Sequence, residues 1–195
     1  KFNSKINLDE ERYVLLPLHV APEGSTFTIS PLFLNEVFII ELISNCLPVN
    51  FKILIKEHPN MVGERSLNYY KKLKSLPNVE ILHPYSDYNI KELIKKSSAV
   101  ITISGTSGME SLILNKPVIV FSKVGYSFLD GCYIFRNIYN FKPDLKKILC
   151  DNKKNTNLDL LKYISVITKY GRSFNFAKFN TINKYPKNLI DEYAT

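Results

Sequence analysis

The stretch Thr102-Ile103-Ser104-Gly105-Thr106-Ser107-Gly108-Met109-Glu110 ends an apolar run, breaks into small residues, and then opens a helix with an early carboxylate. Small residues at that break leave the first N–H groups of the helix uncovered at the positive end of its dipole. Such a turn can hold a phosphate, and Glu110, one turn further in, is spaced to accept hydrogen bonds from a ribose. The same turn has a purely structural reading, in which Ser or Thr caps the helix and satisfies the free donors. Taken alone, it does not separate the two.

The surrounding sequence gives it a place. Apolar runs predict strands at residues 13–18, 51–56, 79–82, 99–104 and 117–121, with helices at 32–47, 67–76 and 90–96 between them. This βαβ alternation predicts an α/β fold, a Rossmann-like doubly wound parallel sheet with right-handed crossovers. Segment 32–47 is apolar around most of its circumference and is expected to be a well buried crossover helix, whereas 67–76 and 90–96 are amphipathic. Ligands of such sheets bind beyond the carboxyl ends of the strands, where the strand order switches. Three polar segments fall on that edge: His19-Val20-Ala21-Pro22-Glu23-Gly24-Ser25, Lys56-Glu57-His58-Pro59-Asn60, and the Ser-Gly-Thr-Ser-Gly turn.

With 195 residues, 45% of them hydrophobic, the chain is expected to form one domain with a sizeable core. No apolar run reaches membrane-spanning length, and no secretory signal pattern stands at the start. The first residue, Lys1, is not Met, which leads us to expect a longer natural chain. Three cysteines without CxxC spacing, Cys46, Cys132 and Cys150, argue against a zinc knuckle or a disulfide framework and fit the cytoplasm. The net charge of +8 raises the question of nucleic acid. Its lysines, however, fall on the polar faces of separate helices and in an Asn-rich loop, so no nucleic-acid partner is expected. A basic surface also suits work beside anionic lipid or glycan, a peripheral membrane association.

From Ser122 onward the sheet pattern fades. Residues 122–133 read as a Gly- and aromatic-containing loop, either a flap over the ligand edge or a loop packing its aromatics back onto the domain. Residues 145–149 and 158–168 read as helices, and 174–187 as an aromatic, basic, irregular end suited to docking on another domain.

His58 ends the second strand, and Pro59 biases its backbone away from the helical region, fixing where the ring points. There it can donate to a phosphate oxygen, with Lys56 adding charge from the same face of the strand, while Glu57 faces the other way. His83-Pro84 repeats the dipeptide after the third strand, farther from the expected crevice, and reads as structural. Glu23 is a candidate general base, a base-edge acceptor or a helix-cap charge, and the residues do not choose among these. The sequence carries no GxGxxG, P-loop, nucleophile elbow or metal-binding carboxylate pair. Three scattered histidines speak against zinc, so neither metal nor cofactor is expected. Phosphate donors, a ribose-type carboxylate and cationic support remain, a metal-free way to stabilise a nucleotide leaving group.

The segments 14–25, 56–60, 101–111 and 116–121, in that order and strand context, resemble the capsule polysaccharide biosynthesis family. That family is related to bacterial Kdo transferases and, more distantly, to sialyltransferases with an HP motif and to UDP-N-acetylglucosamine 2-epimerases. The resemblance covers roughly residues 12–127. It implies the C-terminal nucleotide-binding half of a GT-B glycosyltransferase, with His58 and Pro59 at the donor phosphate. Ser104, Gly105, Thr106, Ser107 and Gly108 would donate to the same phosphate, and Glu110 would face the ribose. The implied partners are a CMP- or UDP-linked sugar, a glycan or lipid-linked acceptor, and an N-terminal acceptor domain that this chain lacks and that commonly supplies the catalytic base. The implied setting is the bacterial cytoplasm at the inner face of the membrane. A nucleotide-sugar epimerase or a CDP-glycerol-type phosphotransferase is the alternative on the same scaffold, and a non-catalytic interaction domain is a third reading.

Overall fold

A computed structural model describes residues 7–21, 24–83, 85–150 and 158–171, with the side chains of residues 24 and 25 left aside. The chain divides into two units, residues 1–160 and 161–195. In the second unit the described residues are the remainder of a helix, Leu158–Tyr170, and Gly171. The sheet and the candidate site belong to the first unit.

Its centre is a six-stranded sheet of β1 (Tyr13–Pro17), β2 (Lys52–Lys56), β3 (Val79–Leu82), β4 (Ala99–Thr102), β5 (Val118–Val120) and β6 (Cys132–Ile134). Every pairing is parallel and the spatial order is β3-β2-β1-β4-β5-β6. The fold is therefore the Rossmann-like α/β arrangement expected from the sequence. Its strand order reverses between β1 and β4, whose carboxyl ends flank the crevice of a doubly wound sheet.

Strands buried on both faces read as continuous apolar runs, and residues alternate between two cores. Val14, Leu16, Ile53, Ile55 and Ile101 face one core, together with Ile39, Ile40 and Ile43 of α2 (Glu36–Cys46) and Phe141 and Leu145 of α6 (Ile138–Cys150). Tyr13, Leu15, Leu54 and Val100 face the other, against Leu93 and Ile94 of α4 (Ile90–Lys96). Even the polar end of Tyr13 is satisfied there, donating to the Leu93 carbonyl at 2.7 Å. Burial, with Glu92 and Asp9 adding to it, drives the phenol's pKa well above its ordinary value.

Several elements depart from the reading of the sequence. The helix expected over 32–47 is split: a 3-10 turn at Pro31–Phe33 precedes α2, which starts where the Asn35 side chain accepts the Phe38 N–H. Consequently Leu32 is 87% and Phe38 48% exposed, so the apolar circumference is only partly buried. The expected loop after β1 contains a helix, α1 (Gly24–Ile29). Residues 132–134 are not the end of a loop but the strand β6, too short for alternation to register. Pro143 lies inside α6, and this helix breaker is why only 145–149 read as helical.

Candidate functional site

The three polar segments lie on one edge because β1, β2 and β4 are parallel neighbours and each segment follows a carboxyl end. After β4, α5 (Ser107–Ile113) starts without a side-chain cap from Thr106. Local structure is otherwise tightly specified. The Gly105 N–H donates to Thr102 Oγ1 at 3.1 Å and the Gly108 N–H to the Gly105 carbonyl at 3.2 Å. Tyr126 folds back and donates to the Gly105 carbonyl at 2.5 Å. A Cβ on Gly108 would lie 2.2 Å from the Tyr126 hydroxyl, and one on Gly105 would lie 2.8 Å from Thr102 Oγ1 and 2.9 Å from His19 Cε1. Both glycines thus have packing reasons of their own. Ser104 Oγ lies 3.4 Å from Thr26 Oγ1, and Glu110 is half-buried in the first turn of α5.

After β2, the Glu57 carboxylate is fully buried. It accepts the His58 N–H at 2.8 Å. The His58 ring accepts the Asn60 N–H at Nδ1, 3.2 Å, so the proton of the neutral ring resides on Nε2. Pro59 begins the short 3-10 turn Pro59–Met61 that this contact caps. The Lys56 ammonium reaches to 3.5 Å from Ser86 Oγ, beyond β3, and burial lowers its pKa. Glu23 lies outside the described residues.

Two residues at the edge have roles that the sequence reading did not assign: His19, placed there only as part of a polar segment, and Arg65, not singled out at all. His19 lies just beyond β1, and its Nε2 is 3.2 Å from both Thr102 Oγ1 and the Ile103 N–H, bridging the ends of β1 and β4 at the switch point. Arg65, with its side chain only 7% exposed, lies between two buried carboxylates. It donates to Glu36 at 2.6 Å and to the His19 carbonyl at 2.5 Å, and its Nε stands 3.1 Å from Glu57 without hydrogen-bond alignment. Burial opposes its charge, but Glu36, Tyr69 and Glu57 outweigh that, so its pKa lies above the ordinary value.

The arrangement is nearly symmetrical. Glu36 accepts the His19 N–H at 3.0 Å and the Tyr69 hydroxyl at 3.1 Å; Glu57 accepts the His58 N–H and the Tyr70 hydroxyl, at 2.7 Å. Burial first, then the carboxylate each one meets, holds both phenols protonated by raising their pKa values. Arg65 and Glu36 carry no motif spacing, which is why the sequence did not reveal them.

A cavity of about 300 Å³ opens beside His19, lined also by Ala21, Thr26, Phe27, Leu34 and Ile103. A larger one, about 460 Å³, runs along α6 and β6 past Phe135 and Asn140, away from the three segments. The chemistry favours the smaller, because it touches the switch point. Among the described residues no group of three His, Cys, Asp or Glu side chains could hold a metal ion, and no helix is long and apolar enough to cross a membrane.

The family model described as "Capsule polysaccharide biosynthesis protein" matches residues 11–142. The chain belongs to the capsule polysaccharide biosynthesis family. Among solved structures, this member is similar to a beta Kdo 2,7 transferase, KpsC of Thermosulfurimonas dismutans, at 19% identity and a TM-score of 0.52, over 66% of this chain and 40% of that one. It is also similar to the UDP-GlcNAc 2-epimerase of Methanocaldococcus jannaschii, in complex with UDP-GlcNAc and UDP, at 22% identity and a TM-score of 0.56, over 85% and 47%. A third structure, the S. aureus MnaA-UDP complex, is 16% identical with a TM-score of 0.52, over 94% and 50%. At these identities the likeness is one of fold. This chain spans half or less of the length of each. No curated protein matches it.

Proposed function

We propose that this chain is the donor-nucleotide-binding domain of a bacterial glycosyltransferase that builds capsule or other surface polysaccharide, the half of a GT-B enzyme that holds a nucleotide sugar. The observation that carries the proposal is the convergence of the His58 and Ser104–Gly108 segments on the switch-point edge of a capsule-family chain. In this reading His58 donates from Nε2, and the amides and hydroxyls of Ser104, Thr106 and Ser107 donate alongside it, to the phosphate bonded to the sugar; the Gly105 and Gly108 N–H groups, expected from the sequence to join them, are instead engaged by Thr102 Oγ1 and the Gly105 carbonyl, and these glycines serve by keeping the turn close. Pro59 fixes the turn, Lys56 adds positive potential and Glu110 accepts from the ribose. An acceptor hydroxyl attacks the anomeric carbon as the bond from that carbon to the phosphate oxygen breaks. The donors stabilise charge gathering on the leaving nucleotide, without a metal. Glu23 is the candidate base from this half, the alternative being a base supplied by a separate acceptor domain, and the acceptor is a glycan or lipid-linked sugar at the cytoplasmic face of the membrane.

A thermal-shift panel of CMP, CDP, UDP, GDP and ADP tests this. Stabilisation by CMP or UDP supports a donor site. No stabilisation by any of the five, either of this chain or of one joined to an acceptor domain, overturns it. Isomerisation of the sugar without acceptor would mark an epimerase instead, the reading that the UDP-GlcNAc 2-epimerase fold keeps open.

A further inference from the structure

The two segments proposed to grip phosphate are joined beneath the surface by an unbroken path of contacts. From the His58 N–H it runs to Glu57, across Arg65 to the His19 carbonyl, and from the His19 ring to Thr102 and the Ile103 N–H, just before Ser104. Glu36 braces it from the other side, holding both the His19 N–H and Arg65. Two carboxylates and one guanidinium, all nearly solvent-free, are costly to bury for stability alone, and apolar residues of similar volume often serve stability as well or better. A guanidinium differs from such residues in having a rigid planar fork, which fixes the relative position of several acceptors at once.

We propose that Arg65 is a positioning residue: through Glu57 on one side and His19 on the other, it sets the spacing between the His58 turn and the Ser104–Gly108 turn so that both meet one phosphate. The part of this concerning phosphate rests on the nucleotide-sugar reading above. The mechanical part does not. Arg65 acts on the main chain that carries the two turns, through the His19 carbonyl and through Glu57, which accepts the His58 N–H. Lys at this position keeps the charge but has no planar fork, so it cannot reach Glu36, Glu57 and the His19 carbonyl together in that geometry.

The test is Arg65→Lys in the full 195-residue chain, read by amide hydrogen exchange and by nucleotide titration. Exchange is expected to quicken at least tenfold at the His19, His58 and Ile103 amides together, with the Leu15 and Val100 amides unchanged. Affinity for whichever of CMP, CDP or UDP binds the wild type should fall at least tenfold. Unchanged exchange at His58 and Ile103 would overturn the proposal, because a residue that merely fills space need not move amides beyond the ends of two different strands.

Should Arg65→Lys fail to fold, Tyr70→Phe decides, since it removes one hydrogen bond from Glu57 and leaves a ring of nearly the same shape. Positioning requires that the His19 amide, on the far side of Arg65, quicken along with that of His58; a response confined to His58 rejects it. The two readings also fail separately. Three amides that respond together in a chain that binds no nucleotide leave the positioning intact and end the donor-site reading. Nucleotide binding that Arg65→Lys leaves untouched, with silent amides, does the reverse.

Discussion

The molecule contains the same dipeptide twice, and the two histidines make the same local contact. His58-Pro59 follows β2 and His83-Pro84 follows β3, its neighbour in the sheet. In each, the ring Nδ1 accepts the N–H of the residue two positions on, at 3.2 Å in both cases. What differs is the residue just before. Glu57 is a buried carboxylate that grips the His58 N–H, Tyr70 and Arg65, while Leu82 is an aliphatic side chain sunk in the core. One histidine is bound into a polar assembly that reaches the switch point; the other is exposed, beside an outer strand, and meets Tyr85 at 5.9 Å between ring centroids. Local turn chemistry alone thus does not distinguish a candidate ligand residue from a surface one. The anchoring behind the turn does.

The comparison breaks most visibly at those preceding residues. Glu57→Ala strips the His58 amide, the Tyr70 hydroxyl and one side of Arg65 of their partner, and should cost about 3–5 kcal/mol in urea unfolding, the scale for breaking a buried ion pair. Leu82→Ala should cost about 2–5 kcal/mol as a cavity. If both fold, only Glu57→Ala should weaken nucleotide binding. A Glu57→Ala loss below about 1 kcal/mol would show that the buried carboxylate is not the anchor that separates the two turns.

On the facing turn, Gly108→Ala drives a methyl into Tyr126 and should destabilise by about 1–3 kcal/mol, with Tyr126→Leu recovering part of the loss in the double variant. Full stability of Gly108→Ala would mean that packing does not require this glycine, leaving ligand approach as its reason.

The parallel sheet and the edge that carries the polar segments were legible because they depend on apolar runs and adjacent residues; the strand order β3-β2-β1-β4-β5-β6 was not. Arg65, Glu36 and the bridging role of His19 were not, because their meaning arises only when β1, β2, β4 and the start of α2 come together. The helix α1 and strand β6 were missed because six and three residues carry too little periodicity to distinguish them from loops.

The smallest expected effect concerns neither turn and so serves as a control on the fold. Burial pushes the Cys132 thiol up to about 12. A pKa raised on folding contributes stability below the unfolded value, near 9, that is lost as pH rises through the folded one. Wild-type melting temperature should therefore fall more steeply than that of Cys132→Ala between pH 9 and 10, the tyrosines being common to both proteins. Parallel slopes would show that Cys132 is not held protonated by the fold.

The central claim is that the anchored histidine, and not its twin, meets the nucleotide. Calorimetric titration of CMP, CDP and UDP into the wild type, His58→Ala and His83→Ala tests it most directly, with circular dichroism confirming the fold of each. A hydrogen bond to a charged phosphate is worth about 1.5–3 kcal/mol, so His58→Ala should weaken binding by about tenfold or more. His83→Ala should bind as the wild type does. Equal affinities for all three proteins, or a loss confined to His83→Ala, would contradict the account.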